Sequence, residues 1–345
     1  MPESDAGARP VRQPTIRDVA ERAGVSKSLV SLVLRDAPHV SDSRRRVVLE
    51  AIAELGYRPN AHARGLSRTR SGTVGVLLHD LRNPWFVELL EGLSATLHTA
   101  GLSPLLADSY TDRRIGRRSV EALVHQGIDG LVVVGTTPES EAIQAAAESI
   151  PVVLAGTRDP NLPGVDIVVD DDDAGARSAT RHLIELGHRH IAHLRGPGEI
   201  GTLRLAGFRA AMAEAGLDPD EYSENGGMSE ESGYAATRRL LAGGNRPTGI
   251  FAFNDLAAIG ALSAAADQGL SVPADLSVVG YDNTYLARIR HISLTSVDNG
   301  NLAVGVQAGK YLIERLEASV QRQRIHLVPT SLEVRGSTAP PGTAR

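Results

Sequence analysis

The chain is predicted to fold as a small all-α head containing a helix-turn-helix, followed by an α/β body of two parallel-sheet, Rossmann-like lobes. Three observations predict this. Apolar residues recur at helical spacing between Ile16 and Leu55. From Thr73 the pattern changes to short apolar runs, among them TVGVLLHD, GLSPLLAD, GIDGLVVVGT, IPVVLAGT, VDIVVDDD, HIAHLRG, PTGIFAFND and LSVVGYDN, mostly spaced by helix-like stretches. Charge divides at the same place: residues 1–72 hold 13 Lys and Arg against 8 Asp and Glu, and the remainder 23 against 33. A basic head on an acidic body implies that the head meets a polyanion and the body does not.

The elements follow in order. MPESDAGARPVRQP lacks the apolar centre of a signal peptide and reads as a loose polar tail, residues 1–14. Ile16, Val19, Ala20 and Ala23 give the first helix one apolar face, with Thr15 as its cap and Gly24 as the turn after it. Val25, Val30, Val33 and Leu34 face inward from the second helix. Ser41 is placed to cap a third, in which Val48, Ile52 and Leu55 are buried and which Gly56 stops. YRPNAHARGLSRTRSG reads as a possible short helix running into a linker. Strand alternating with helix beyond it implies parallel sheets covered on both faces, and the length of this region favours two similar lobes around a cleft. Helices are expected over Trp85 to Ala100 and Ser119 to Gln126, and the final GSTAPPGTAR reads as disordered.

Composition narrows the function class. With 42% hydrophobic and 22% charged residues among 345, the chain is an ordinary globular protein. No run reaches the eighteen or so apolar residues of a membrane span. The absence of Cys excludes disulfides, thiolate metal sites and a Cys nucleophile. A cytoplasmic location is expected.

In a helix-turn-helix the second helix enters the major groove. Lys27, Ser28, Ser31 and Leu32 share the face opposite Val30 and Val33. Lys donates to guanine acceptors and Ser pairs with several bases. Arg44 to Arg46 sit in the first turn of the third helix, where the dipole disfavours them, which makes sense if they meet phosphates.

TIRDVAERAGVSKSLVSLVL followed by VSDSRRRVVLEAIAELGYRPNAHARGLSR resembles the headpiece and hinge of the LacI/GalR repressor family, and the resemblance extends over about residues 15–338. It implies a body like a type I periplasmic binding protein, no cofactor, a homodimer on near-palindromic operator DNA, and a small, sugar-like effector between the lobes. It adds Thr15 and Ser26 to the DNA-facing set. It also implies a hinge helix starting near Asn60, with Ala63 and Arg64 at the DNA and Leu66 wedged between base pairs of the minor groove. The implied domains are 15–59 for DNA binding, 60–72 for the hinge and 73–338 for the body. Within the body the N-lobe takes about 73–171 and 300–330, the C-lobe about 172–299 and 331–338, with 339–345 a tail. Leu stands at 29 and 32 where many relatives have Thr and a polar or basic residue. Leu32 therefore either contacts a thymine methyl or leaves its base pair unread.

For the effector the resemblance points to Asn83, Trp85 and Phe86 in NPWF, Arg204 in RLAGF, Asn254 and Asp255 in FNDLAAIGA, Asp282 in GYDNT and Asp298 in SVDN. An aromatic wall suits the C–H face of a sugar, and Arg, Asp and Asn bind its hydroxyls. Asp255 could instead cap the helix after it, and Asp298 could sit in the crossover between lobes. Gly156-Thr157 stand where many sugar-binding relatives have Asp-Arg, so a simple aldose is not implied.

The alternative is an NAD-dependent oxidoreductase using GPGEIG, residues 196–201, which matches G-x-G-x-x-G after a strand. Its position in the middle of the second lobe instead suggests a loop above the effector site. HRHIAH lacks a third metal ligand, and DDDD at 170–173 reads as a solvated strand end, so neither catalytic nor metal-binding residues are assigned.

Overall fold

The computed structural model describes residues 14–34, 37–57, 70–135, 138–219, 223–318 and 322–342. The chain divides into two compact units at Ser71/Gly72.

The first unit holds α1 (Ile16–Arg22), α2 (Lys27–Leu34) and α3 (Asp42–Leu55). A reciprocal capping box starts α1: the Thr15 hydroxyl accepts the Asp18 amide, and the Asp18 carboxylate accepts the Thr15 amide. Ser26 likewise accepts the Leu29 amide at 3.2 Å and caps α2. Ser41 occupies the start of α3 but makes no capping bond with its side chain. The core is Val19, Ala20, Val30, Val33, Val40, Val48, Ala51 and Tyr57; Ile52 and Leu55, expected to be buried, are half-buried at its edge.

The second unit contains two six-stranded sheets. The first has the order β11-β5-β4-β3-β1-β2: β1 (Thr73–Leu78), β2 (Ser103–Asp108), β3 (Gly130–Val134), β4 (Val152–Ala155), β5 (Asp166–Asp170) and β11 (Ile325–Val328), all parallel. The second has the order β12-β10-β9-β8-β6-β7: β6 (Ile191–Arg195), β7 (Ser223–Asn225), β8 (Gly249–Ala252), β9 (Ser277–Tyr281), β10 (Thr295–Asp298) and β12 (Ser331–Glu333). Only the β10–β12 pair is antiparallel. Runs such as GLVVV and VVLA are buried throughout because helices cover both faces. Alternation along each strand then divides the side chains between two cores: Val132 and Val134 belong to one, Leu131 and Val133 to the other.

Helices of the first lobe are α4 (Trp85–Thr99), α5 (Ser109–Arg114), α6 (Ser119–His125), α7 (Ser140–Ala147) and α12 (Asn301–Glu317). Those of the second are α8 (Asp172–Glu185), α9 (Gly198–Glu214), α10 (Glu230–Ala242) and α11 (Asp255–Asp267). The chain crosses between lobes after β5, β10 and β11, so α12 and β11 return to the first sheet late in the sequence.

Three expectations are corrected. GPGEIG is not a loop: its last four residues form the first turn of α9. The acidic run is not uniformly solvated: Asp170 and Asp172 are buried, Asp171 caps α8 and Asp173 pairs with Arg177. The GSTAPPGTAR segment is ordered through Gly342. Its Ser337 is buried, accepts the Val278 amide through its carbonyl at 2.9 Å and the Thr295 amide through its hydroxyl at 2.8 Å, and is followed by Ala339, which bonds to Ser277. Backbone pairing to β9 outweighs the polar, Pro-rich composition.

Helices α4 and α12 cross at glycines. A Cβ at Gly305 would stand 2.0 Å from the Leu89 carbonyl, and one at Gly92 would stand 2.4 Å from that of Leu302. Gly305→Ala is expected to destabilise the body by about 1–3 kcal/mol through overpacking, read as a lower urea midpoint.

Candidate functional site

Open α/β sheets place ligands beyond the carboxyl ends of their strands. In the first lobe, the segment after β1 turns into α4 through Asn83, whose side chain accepts the Trp85 amide at 3.0 Å. Trp85 and Phe86 follow, both buried, in a T-shaped pair 5.1 Å apart. One turn further on, Glu88 forms an ion pair with Arg288 of the second lobe, so this end of α4 faces across the cleft.

In the second lobe Arg204 projects from α9 into a buried cluster. Its Nε donates to Asp172 Oδ1 at 2.8 Å and its Nη1 to the Phe253 carbonyl at 2.5 Å; Nη2 lies 3.8 Å from Asp282 Oδ1. The guanidinium stacks 3.5 Å above the Tyr281 ring and 4.6 Å from that of Phe253. Tyr281 donates its hydroxyl to Asp170 at 2.7 Å, joining the second sheet to the end of the first. Burial opposes the charge of Arg204, but Asp172, Tyr281 and Asp282 outweigh it and raise its pKa. Burial pushes Asp170 up to about 7, with the Asp172 charge adding to it, and holds Asp282 well above the ordinary carboxylate range.

Asp282 has a left-handed backbone, φ 101°, and Asn283 another, φ 45°. Such residues persist where surroundings over-determine them. Asn301 donates to the Asp282 carbonyl at 2.9 Å, Asn299 to its carboxylate at 3.3 Å, and Arg335 to the Asn283 side chain at 2.5 Å. Asp255 anchors the next residue: one oxygen accepts both the amide and the hydroxyl of Thr284, the other the Ser296 hydroxyl. Burial raises its pKa to about 6.

The predicted residues therefore divide. Asn83, Trp85 and Phe86 lie together on the first-lobe side, and Arg204 and Asp282 together on the second. Asn254 is spent as the cap of α11, accepting the Ala257 amide and donating to the Met228 carbonyl. Asp255 holds a turn, and Asp298 is taken up by Asn283 and the Gly300 amide at the crossover. Asp170, Asp172, Phe253 and Tyr281 were missed; each adjoins a motif already singled out, as DDDD, FND or GYDN. Among the described residues no group of His, Asp and Glu is placed to hold a metal. His188 is buried against Thr248, Ser277 and the Ala339 carbonyl, whereas His190 is exposed. His193 stacks between Phe208 and Phe251, and burial lowers its pKa to about 4.

On the head, Lys27, Ser28 and Leu32 are exposed on α2, with Ser31 half-buried beside them. Thr15 and Ser26 serve as helix caps. Arg45 turns inward to donate to the Ala37 carbonyl at 2.9 Å, leaving Arg44 and Arg46 as the exposed members of that triplet. Asn60, Ala63, Arg64 and Leu66 lie outside the described residues.

Comparison with known proteins covers both units. The family profile "Bacterial regulatory proteins, lacI family" matches residues 15–60, and "Periplasmic binding protein-like domain" matches 180–338. The chain is 34% identical to the HTH-type transcriptional regulator DegA of Bacillus subtilis, over 95% of this chain and 99% of that one. The lac repressor dimer bound to operator and the anti-inducer ONPF superposes with a TM-score of 0.82 at 30% identity, covering 95% of this chain and 100% of that one. The complex of the regulator CelR with cellobiose gives 0.70 at 31%, covering 94% and 99%.

The raised pKa of Asp170 fixes a sign. The folded state holds its proton up to about pH 7, whereas an unfolded Asp releases it near its ordinary 3.8. The stability it contributes is full below that value and is lost as pH rises through 7. Asp170→Asn, which still accepts from Tyr281, should flatten the fall in urea midpoint between pH 5 and pH 8 and be the more stable protein at pH 8.

Proposed function

Because the chain belongs to the LacI family of bacterial regulatory proteins, we propose that it is an effector-controlled transcriptional repressor that binds a near-palindromic operator as a homodimer in the cytoplasm. The observation that carries this reading is the outer face of α2. Lys27, Ser28 and Leu32 are exposed there while Val30 and Val33 anchor the opposite face in the head's core, in a unit with excess positive charge. The effector is a sugar or related polar metabolite held between the lobes. Trp85 and Phe86 supply an apolar wall, and Arg204 and Asp282 the polar partners for hydroxyls; the cellobiose carried by CelR supports the same chemistry. The oxidoreductase alternative falls away, because the relatives are transcriptional regulators and two of the three glycines of GPGEIG, Gly198 and Gly201, are built into α9, followed by only the three-residue edge strand β7.

Mechanism follows from linkage. Closing the lobes on a ligand changes how the paired first lobes sit, and with them whether two hinge segments reach the minor groove together. Effector and operator then alter one another's affinity by the same factor. Asp282 presents its carboxylate from a turn fixed by Asp255, Asn299 and Asn301, so polar recognition is preorganised. Sequencing the genomic fragments bound by the full chain tests the reading: a shared, near-palindromic sequence whose binding weakens with salt is expected, and binding without sequence preference would refute it.

Two substitutions probe the DNA side. Lys27→Ala should relax preference at one symmetric guanine pair and cost about 1–3 kcal/mol of discrimination, measured with operators varied one position at a time. Leu66→Ala should weaken operator binding far more than binding to random DNA, since a wedge acts only in a kinked site; equal losses on both would remove that role.

A further inference from the structure

The first-lobe wall of the cleft is shaped by a side chain that is missing. Gly156 follows β4 at φ +64°, and a Cβ built there would stand 2.3 Å from Cη2 and 2.9 Å from Cζ2 of Trp85. The benzo edge of the indole therefore rests on the bare Cα of Gly156, and no other residue fits at 156 with Trp85 in this place. Seated in this way, Trp85 is 7% exposed, and its Nε1 is fully enclosed with no acceptor among the described residues. That is unusual, because a buried indole N–H ordinarily finds a partner, and it can only donate. The nearest aromatic neighbour, Phe86, offers its ring and no acceptor atom. The same end of α4 reaches the opposite lobe through Glu88 and Arg288.

Resting on the effector-cleft reading above, we propose that Gly156 is a specificity-determining residue: it seats Trp85 so that the indole N–H is reserved for an acceptor atom of the effector. The effector then presents a flat ring or C–H face to the indole and a hydroxyl, carbonyl or ring-nitrogen acceptor at its edge. A hydroxylated ring or an oxo-substituted heterocycle meets both demands; a simple alkylamine cation, which has donors only, meets neither. A larger residue at 156 replaces this donor with its own side chain, so the choice at 156 and the placement of Trp85 form one determinant.

Trp85 is the only tryptophan, so indole labelling with ¹⁵N gives one Nε1–H resonance and emission reports one site. In the full-length protein without added ligand, the resonance is expected at the position of an unbonded indole, with emission shielded from acrylamide. Gly156→Ala should move the resonance and raise quenching several-fold, with a lower thermal midpoint but operator affinity near wild type in the folded protein. A protein-free small-molecule extract of the source cells, fractionated, is the probe for the second arm. Any fraction that changes operator affinity should shift the wild-type resonance downfield with the same midpoint. Trp85→Phe, which keeps a ring and loses the N–H, should weaken that response about tenfold, the worth of one hydrogen bond. Active fractions that leave the resonance in place, or act equally on Trp85→Phe, overturn the donor assignment while the regulator reading stands. An indole already hydrogen-bonded without ligand, as to a buried water, or unchanged emission in Gly156→Ala, overturns the seating. An extract with no active fraction removes effector control itself, and this inference with it.

Discussion

One buried guanidinium organises the meeting point of the two lobes. Arg204 reaches two carboxylates, a backbone carbonyl and an aromatic face, and both carboxylates belong to the second lobe. Burying such a charge is tolerable only with its partners in place; removing one partner of a buried pair typically costs about 3–5 kcal/mol. Three acids, Asp170, Asp172 and Asp282, share this one cation, so they cannot all be ionised cheaply. Burial is the main cause of the elevated pKa values of Asp170 and Asp282, the neighbouring carboxylates add to it, and Tyr281 donates to Asp170 between the sheets.

The left-handed turn at Asp282 depends on the same cluster. Its backbone is an expensive conformation, and four side chains from other segments hold it. Asp255 and Arg335 act from outside the polar centre and Asn299 and Asn301 from the crossover beside it. These bonds fix the direction of the Asp282 and Asn283 side chains. The opposite wall is built on different terms, by aromatic area over bare backbone. Polar and aromatic groups are thus segregated between the two lobes.

How far the sequence could be read depended on range. Helical spacing and turn chemistry located all three head helices, and the buried runs after Thr73 located most strands, because both are local signals. NPWF supplies a buried aromatic pair in the first lobe, and RLAGF and GYDNT supply Arg204 and Asp282, which the fold brings together in the second. Asn254, Asp255 and Asp298 looked equally suited to a ligand, but their hydrogen-bonding capacity is consumed by Ala257, Thr284, Ser296, Asn283 and Gly300, partners that only the tertiary structure supplies. The same limit hid Asp170 and Asp172 inside an apparently solvated acidic run. It also hid the ordered C-terminus, whose polar composition says nothing of the β9 backbone waiting for it. Leu32 is the reverse case: its exposure on α2 is visible in the pattern, and its meaning lies in a DNA sequence outside the chain.

The late return of the chain has a consequence for synthesis. The first sheet lacks its edge strand until Ile325–Val328 is made, and α12, which covers the same sheet, comes only slightly earlier. The second sheet waits longer still, for Ser331–Glu333 and for Ser337 and Ala339 to close over β9. Neither sheet is complete until these segments have left the ribosome, whereas the segments that form the head's core come earlier in the chain. The nascent body is left with unpaired strand edges and uncovered apolar faces, the features that invite misassembly. The helices of the head therefore precede both completed sheets in the order of synthesis.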